Sequence, residues 1–257
     1  MEFSSADNAQ TLVTSPHAQT ASPPPAVPVP VAAIILAAPD TLSDRTHLSH
    51  DLQPFAGLPL IVHAVKLVRG IGASPIVIAR TSSDEAKIRE AVRPHVPVDE
   101  LMCVNQDQEQ GPLGGLRAGL SDLLEETTHA LVLPATMPLL TIKALETMRA
   151  ASKVAPLVLL GQAALGDGEN GPVCFDVLWA EVELIRGIFQ IDEGKPVVRG
   201  GSMEDLVTFA AGQRRRIATV CVSEGELLRV DTAEDLIEAE GIWRSRDGKD
   251  RGKAYGA

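Results

Sequence analysis

The sequence predicts an α/β protein, a three-layer, mainly parallel, doubly wound sheet of the Rossmann-like kind with helices on both faces. Three observations lead there. Short Val/Ile/Leu runs alternate with segments of helical period from residue 31 to about residue 243, and strands separated by helices need crossover connections, which make neighbouring strands parallel. Aliphatic residues dominate while aromatics are only 3% of the chain, a balance suited to helices layered on a sheet buried on both sides. A chain of 257 residues suits one such domain with tails and buries a sizeable core without disulfides or metals.

Each element follows from its local pattern. Val31 to Ala38 is a continuous apolar run and reads as a buried strand, and Leu60 to Gly70 places Leu60, Ile61, Ala64, Val65 and Val68 at helical spacing. Ser74 to Ala79 is the second strand, and Ser82-x-x-Glu85 is a capping box opening a helix from Ser83 to Val92. Leu101 to Val104 is the third strand. It leads through a polar loop to Gly111 and a helix from Leu113 to Leu124. Ala130 to Leu133, Thr141 to Lys153 and Pro156 to Leu160 then read as strand, helix and strand. Beyond a Gly-rich loop at 161–171, the pattern predicts a short strand Val173 to Phe175, helices Leu178 to Ile191 and Met203 to Ala211, and strands Arg216 to Val222 and Leu227 to Val230. A final helix, Ala233 to Trp243, begins at a Thr232 cap with Asp235 three residues on.

Outside this domain, residues 1–30 are rich in Pro, Ser and Ala and read as a disordered, partly polyproline-II arm, and residues 244–257 read as a polar tail. The formal net charge of −11 argues against polymeric nucleic acid or an acidic membrane surface as partner. A small polyanion remains open to it, since backbone N–H groups at a helix start and a few cations can outweigh the global charge locally. Cys103, Cys174 and Cys221 are odd in number and form no C-x-x-C, against a disulfide framework or a zinc site. With no Lys or Arg in residues 1–30 and no apolar run of membrane length, a cytoplasmic protein is expected.

In open α/β sheets, ligands bind beyond the carboxyl ends of the strands, so the connecting loops there are where the chemistry is expected. The loop from Ala38 to Leu58 is far longer than a usual βα connection, and it carries neither a Walker-type P-loop nor a G-x-G-x-x-G. The loop after the third strand ends in Gly111-Pro112-Leu113-Gly114-Gly115-Leu116-Arg117-Ala118-Gly119. Glycines in a first helical turn cost helix propensity, which makes sense where a ligand approaches the backbone or where helix and sheet pack closely.

Together with Leu36-Ala37, Gly57-Leu58-Pro59-Leu60, Pro134-x-x-x-Pro138 and Val230-Asp231-Thr232-Ala233-Glu234-Asp235, these residues resemble the molybdenum cofactor guanylyltransferases and cytidylyltransferases. The resemblance runs from about Val31 to Glu240 and implies a fold of glycosyltransferase-A, nucleotidyltransferase type. It implies transfer of a nucleoside monophosphate from GTP or CTP to a phosphorylated, molybdopterin-like acceptor, assisted by Mg²⁺, with pyrophosphate leaving. Carried over residue by residue, it places Leu36, Ala37, Ala38, Gly111, Leu113, Gly114 and Gly115 against the nucleotide, with Asn105 or Asp107 contacting the nucleoside. Arg45 falls on the family's phosphate-binding arginine when two residues are inserted, and His50 on its lysine. Thr136 stands where the family has its principal metal-binding aspartate, and Asp231 at its second metal-associated position. From the residues alone, Asp231 reads equally as part of a helix cap beside Thr232. Ala38-Pro39 replaces the family's paired glycines, and a proline removes a backbone donor from a phosphate loop.

Two further readings follow from these replacements. One is a catalytically impaired relative that binds a nucleotide or a cofactor as a partner or regulator, and the other is a sugar-phosphate nucleotidyltransferase, which shares the architecture.

Overall fold

The computed structural model describes residues 31–37, 50–80, 85–105, 111–162, 173–189, 191–192, 195–196 and 202–246. Seven strands form one sheet: β1 (Val31–Ala37), β2 (Ile76–Arg80), β3 (Leu101–Asn105), β4 (His129–Pro134), β5 (Leu157–Gln162), β6 (Val173–Glu181) and β7 (Ile217–Val222). They lie side by side in the order β7-β5-β6-β4-β1-β2-β3. Every neighbouring pair is parallel except those made by β6, which runs antiparallel to both β4 and β5. The α/β class and the mainly parallel sheet are thus as the sequence predicts.

Side-chain alternation builds two cores from this one sheet. Ala33 and Ile35 of β1, with Leu131 and Leu133 of β4, face α1 (Leu60–Gly70), α2 (Glu85–Val92) and α4 (Ile142–Ser152) through Val65, Ile88 and Leu145. Ala32, Ile34, Ala130 and Val132 face the other way, toward Leu116 of α3 (Gly111–Ser121), Ile185 of α5 (Val182–Ile188) and Leu206 of α6 (Met203–Gly212). Successive residues of a strand point to opposite faces, so an apolar run buries both. Gly119 allows a close approach of α3 to β1: a Cβ there would lie 2.7 Å from Ile34 Cγ2, so this glycine serves helix-to-sheet packing.

A third, smaller cluster sits off the sheet. Residues Pro54–Phe55 and Leu58–Pro59 form a short antiparallel pair, turned through Ala56 and Gly57, both at positive φ. Phe55 is fully buried with Leu60, Leu139 and Val230 under α7 (Ala233–Arg246). Its ring meets His63 and Trp243 edge-on, at centroid distances of 5.2 and 5.4 Å, and His63 Nε2 lies 2.8 Å from the Phe55 carbonyl, to which it donates.

Two expectations are corrected. The stretch from Leu178 does not begin a helix: β6 continues to Glu181, and α5 follows from Val182. Leu178 and Trp179 are buried on opposite faces between two partner strands, so the segment has no polar side and its apolar run fits strand and helix alike. Residues Leu227 to Val230 form no strand. Their order comes from one backbone bond, Val230 N–H to the Thr136 carbonyl at 2.8 Å. The Ser82 cap of α2 lies outside the described residues. No helix among the described residues is long and apolar enough to cross a membrane.

Candidate functional site

The carboxyl ends of four parallel strands meet at one edge. Leu36 is in register with Pro134, Ala37 with Arg80, and Arg80 with Asn105. The Ala135 amide donates to the Leu36 carbonyl at 3.0 Å, which carries the β1–β4 pairing into the following turn. Leu36 is half-buried, Ala37 buried, and Asn105 exposed as the last residue of β3. Ala38, Arg45 and Asp107 lie outside the described residues.

Helix α3 starts beside this edge. Gly111, its first residue, has φ +57°, a conformation that side-chain-bearing residues adopt at a cost of roughly 1–2 kcal/mol. Leu113, Gly114 and Gly115 follow in the first turns, all buried. The helix opens on a glycine followed by Pro112, which has no N–H, and its first turns carry little side-chain bulk at positions 111, 114 and 115.

Arg80 was not singled out in the sequence. It is 3% exposed at the end of β2, between Ala37 and Asn105, and forms an ion pair with Glu85 at the start of α2. Glu85 also accepts from Arg89 at 2.8 Å, so two guanidiniums share one carboxylate at the start of α2. An arginine closing a strand of otherwise apolar residues, Ile76 to Ala79, is the signal that marks it.

The opposite pole lies past β4. Thr136 is buried, and its Oγ1 has no hydrogen-bond partner among the described residues. Its carbonyl holds Val230, which delivers Arg229 and Asp231 to the same place. Arg229 Nε donates to Asp231 Oδ1 at 2.9 Å, and Arg229 Nη1 lies 3.5 Å from Asp176 Oδ2. Asp176 comes from the start of β6, two residues before Leu178, which faces Val132 of β4. Burial, and secondarily the charge of Asp231, push the Asp176 carboxyl above the usual aspartate range. Asp176 was also missed. Its signal is an aspartate within the apolar run Val173 to Ala180.

Two readings of Asp231 were open from the sequence, and the geometry separates them. The helix cap is Thr232 with Asp235: Thr232 Oγ1 accepts from the Asp235 amide at 3.1 Å, and Asp235 Oδ2 accepts from the amides of Thr232 and Asp231 at 2.9 and 3.1 Å. These backbone donors, Asp231's foremost, lower the Asp235 carboxyl. The Asp231 carboxylate is left to Arg229. His50 opens a short 3-10 turn, His50–Leu52, packed on α1 and α2, with its Nδ1 3.4 Å from Gln53 Nε2.

An open, mainly parallel sheet with helices packed on both faces defines an α/β protein of the Rossmann-like class. Comparison with known proteins takes this further: residues 33–193 match the family model of the MobA-like NTP transferase domain, and the chain belongs to that family. The chain is 24% identical over 243 residues to the bifunctional protein GlmU of Dinoroseobacter shibae, covering 84% of this chain and 53% of that protein. It is 31% identical over 125 residues to the molybdenum cofactor guanylyltransferase of Pseudomonas fluorescens, covering 49% of this chain and 58% of that enzyme. The chain therefore spans somewhat over half the length of these two curated relatives. Among solved structures, a nucleotidyl transferase from Methanothermobacter thermautotroptrophicus superposes with a TM-score of 0.65 at 16% identity, over 84% of this chain and 99% of that one. The likeness to that structure is one of fold. The protein is nucleotidyltransferase-like.

Proposed function

We propose that the protein transfers a nucleoside monophosphate from GTP or CTP to a phosphorylated acceptor of the molybdopterin kind, releasing pyrophosphate. The observation that carries this reading is the start of α3. Gly111 in a left-handed conformation and the buried Gly114 and Gly115 open the helix that packs on β1, β2 and β3, and a nucleoside would lie against this glycine-rich first turn. The acceptor class rests on the resemblance to the molybdenum cofactor guanylyltransferase over half of the chain.

Phosphoryl transfer draws most of its acceleration from positioning and from neutralising charge that develops on the phosphate oxygens. In this reading Leu36, Ala37 and Leu113 with the α3 glycines orient the nucleoside, joined by Asn105. Ala38 and Asp107 belong to the same contact set, while Arg45 and His50 would serve the triphosphate. The head of α3 would favour an anion on that side through the helix dipole.

Mg²⁺ is the cofactor expected for such a transfer. Thr136 and Asp231, its expected ligands, do not fit a metal held by the protein: Thr136 offers a neutral hydroxyl, and the Asp231 carboxylate already carries Arg229. Among the described residues no three His, Cys, Asp or Glu side chains converge as a metal site. That same misfit favours a second reading, a binding partner or regulator that holds a nucleotide or the cofactor without turnover.

The test is thermal unfolding of the purified protein with GTP, CTP, ATP and UTP, each with and without Mg²⁺, followed by a pyrophosphate-release assay. Stabilisation by one guanine or cytosine nucleotide that grows with Mg²⁺, with pyrophosphate released on adding the acceptor, supports transfer. Metal-independent stabilisation without pyrophosphate supports the binder, and no shift with any nucleotide defeats both. Pyrophosphate released only with a sugar phosphate would move the assignment to a sugar-phosphate nucleotidyltransferase.

A further inference from the structure

We infer that the Arg229 guanidinium is a built-in cation, occupying the place between Asp176 and Asp231 that a divalent metal would otherwise take. The two carboxylates come from different parts of the fold, one from the start of β6 and one from the segment entering α7, and a single guanidinium spans them at 3.5 and 2.9 Å. Its position is set by the two residues that follow it in the chain. The next residue, Val230, is fully buried and donates to the Thr136 carbonyl, and Asp231 donates its amide to Asp235. With its own side chain 25% exposed, Arg229 is part of the wall here.

The chemistry of the donors points the same way. A hard dication seeks about six oxygen ligands with charged carboxylates among them, whereas a guanidinium needs only acceptors and brings its own permanent charge. Two carboxylates satisfy the guanidinium, whereas a dication in its place would still draw most of its ligands from water. Thr136, whose carbonyl holds the neighbouring Val230, adds no charge, and a guanidinium has no lone pair with which to join a metal's ligand shell. A dication placed between these acids would have to displace Arg229 and then leave that cation partly buried, away from its carboxylates.

This inference concerns the same sheet edge as the proposed transfer, but it stands on these residues alone and is tested without nucleotide. The experiment is a titration of the full chain with Mn²⁺ alone, free Mn²⁺ being read by electron paramagnetic resonance. Wild-type protein is expected to take up no Mn²⁺ that depends on Asp231. Arg229→Ala frees both acids and should bind one Mn²⁺ at least tenfold more tightly, a gain removed by adding Asp231→Asn or Asp176→Asn. Arg229→Lys keeps a cation in place and should behave as wild type, which separates the effect of charge from loss of packing. If Arg229→Ala does not fold, Arg229→Gln makes the same comparison. Wild-type uptake of one Mn²⁺ that is lost in Asp231→Asn, or neutral variants at Arg229 with unchanged Mn²⁺ affinity, would overturn the inference.

Discussion

The Val230 amide donates to the Thr136 carbonyl at 2.8 Å, and this bond sets the segment carrying Arg229 and Asp231 against the turn that leaves β4. Its side chain reinforces it, fully buried with Phe55, Leu60 and Leu139. Val230→Ala removes two methyl groups from that cluster and is expected to cost about 2 kcal/mol of stability, from lost transfer energy plus a residual cavity. Urea unfolding measures it, and a loss below about 0.5 kcal/mol would mean that the cluster closes over the gap.

Thr136 carries a second expectation. Its buried hydroxyl has no partner among the described residues, and a hydroxyl so placed keeps its desolvation cost and returns nothing. Thr136→Val, nearly the same shape, should therefore raise stability by about 1 kcal/mol. Destabilisation in chemical denaturation would show that the hydroxyl is satisfied in solution.

Acid should weaken the fold through His63. Burial holds its imidazole below the ordinary value of 6.5, with the Lys66 charge acting in the same sense. In the unfolded chain the ring takes up a proton as pH falls through about 6.5, while in the folded protein it does not. The unfolded state then binds more protons, so this contribution is intact above that pH and stability falls below it. His63→Gln keeps an N–H donor for Phe55 and should flatten the difference between unfolding midpoints at about pH 7.5 and about pH 5.5. Part of the slope should remain, because burial also lowers the His129 imidazole.

Packing of α3 on β1 offers a double-variant test. A Cβ at position 119 would stand 2.7 Å from Ile34 Cγ2, and Ile34 is fully buried. Gly119→Ala should thus cost about 1–3 kcal/mol through overpacking, after any gain in helix propensity. Ile34→Ala removes the offending methyl. The combined variant should be more stable than the sum of the single losses by at least about 0.5 kcal/mol, a coupling that additive behaviour would refute.

Legibility in the sequence follows the range of the interactions that decide each feature. Helix α1 is predicted at its observed limits, since an apolar stripe against one face is written in local spacing. The Thr232–Asp235 cap is likewise local and recognisable. The strand from Val177 to Ala180 misleads because burial on both faces erases the period. Asp176 and Arg229 escape notice for a different reason: their relation arises only when β6 is inserted antiparallel beside β4. The glycines of α3 are visible as a group, yet their division of labour is not. Gly111 answers to backbone conformation and Gly119 to the Ile34 side chain, a distinction that needs coordinates.

The contact of Phe55 with Trp243 also sets an order of events during synthesis. Phe55 is made early, and the ring that seals it belongs to a helix made long afterwards, a pairing of large sequence separation. Until α7 is made, the Pro54–Pro59 hairpin lacks the ring that completes the cover of Phe55, and that side chain is a point at which the nascent chain can misassociate.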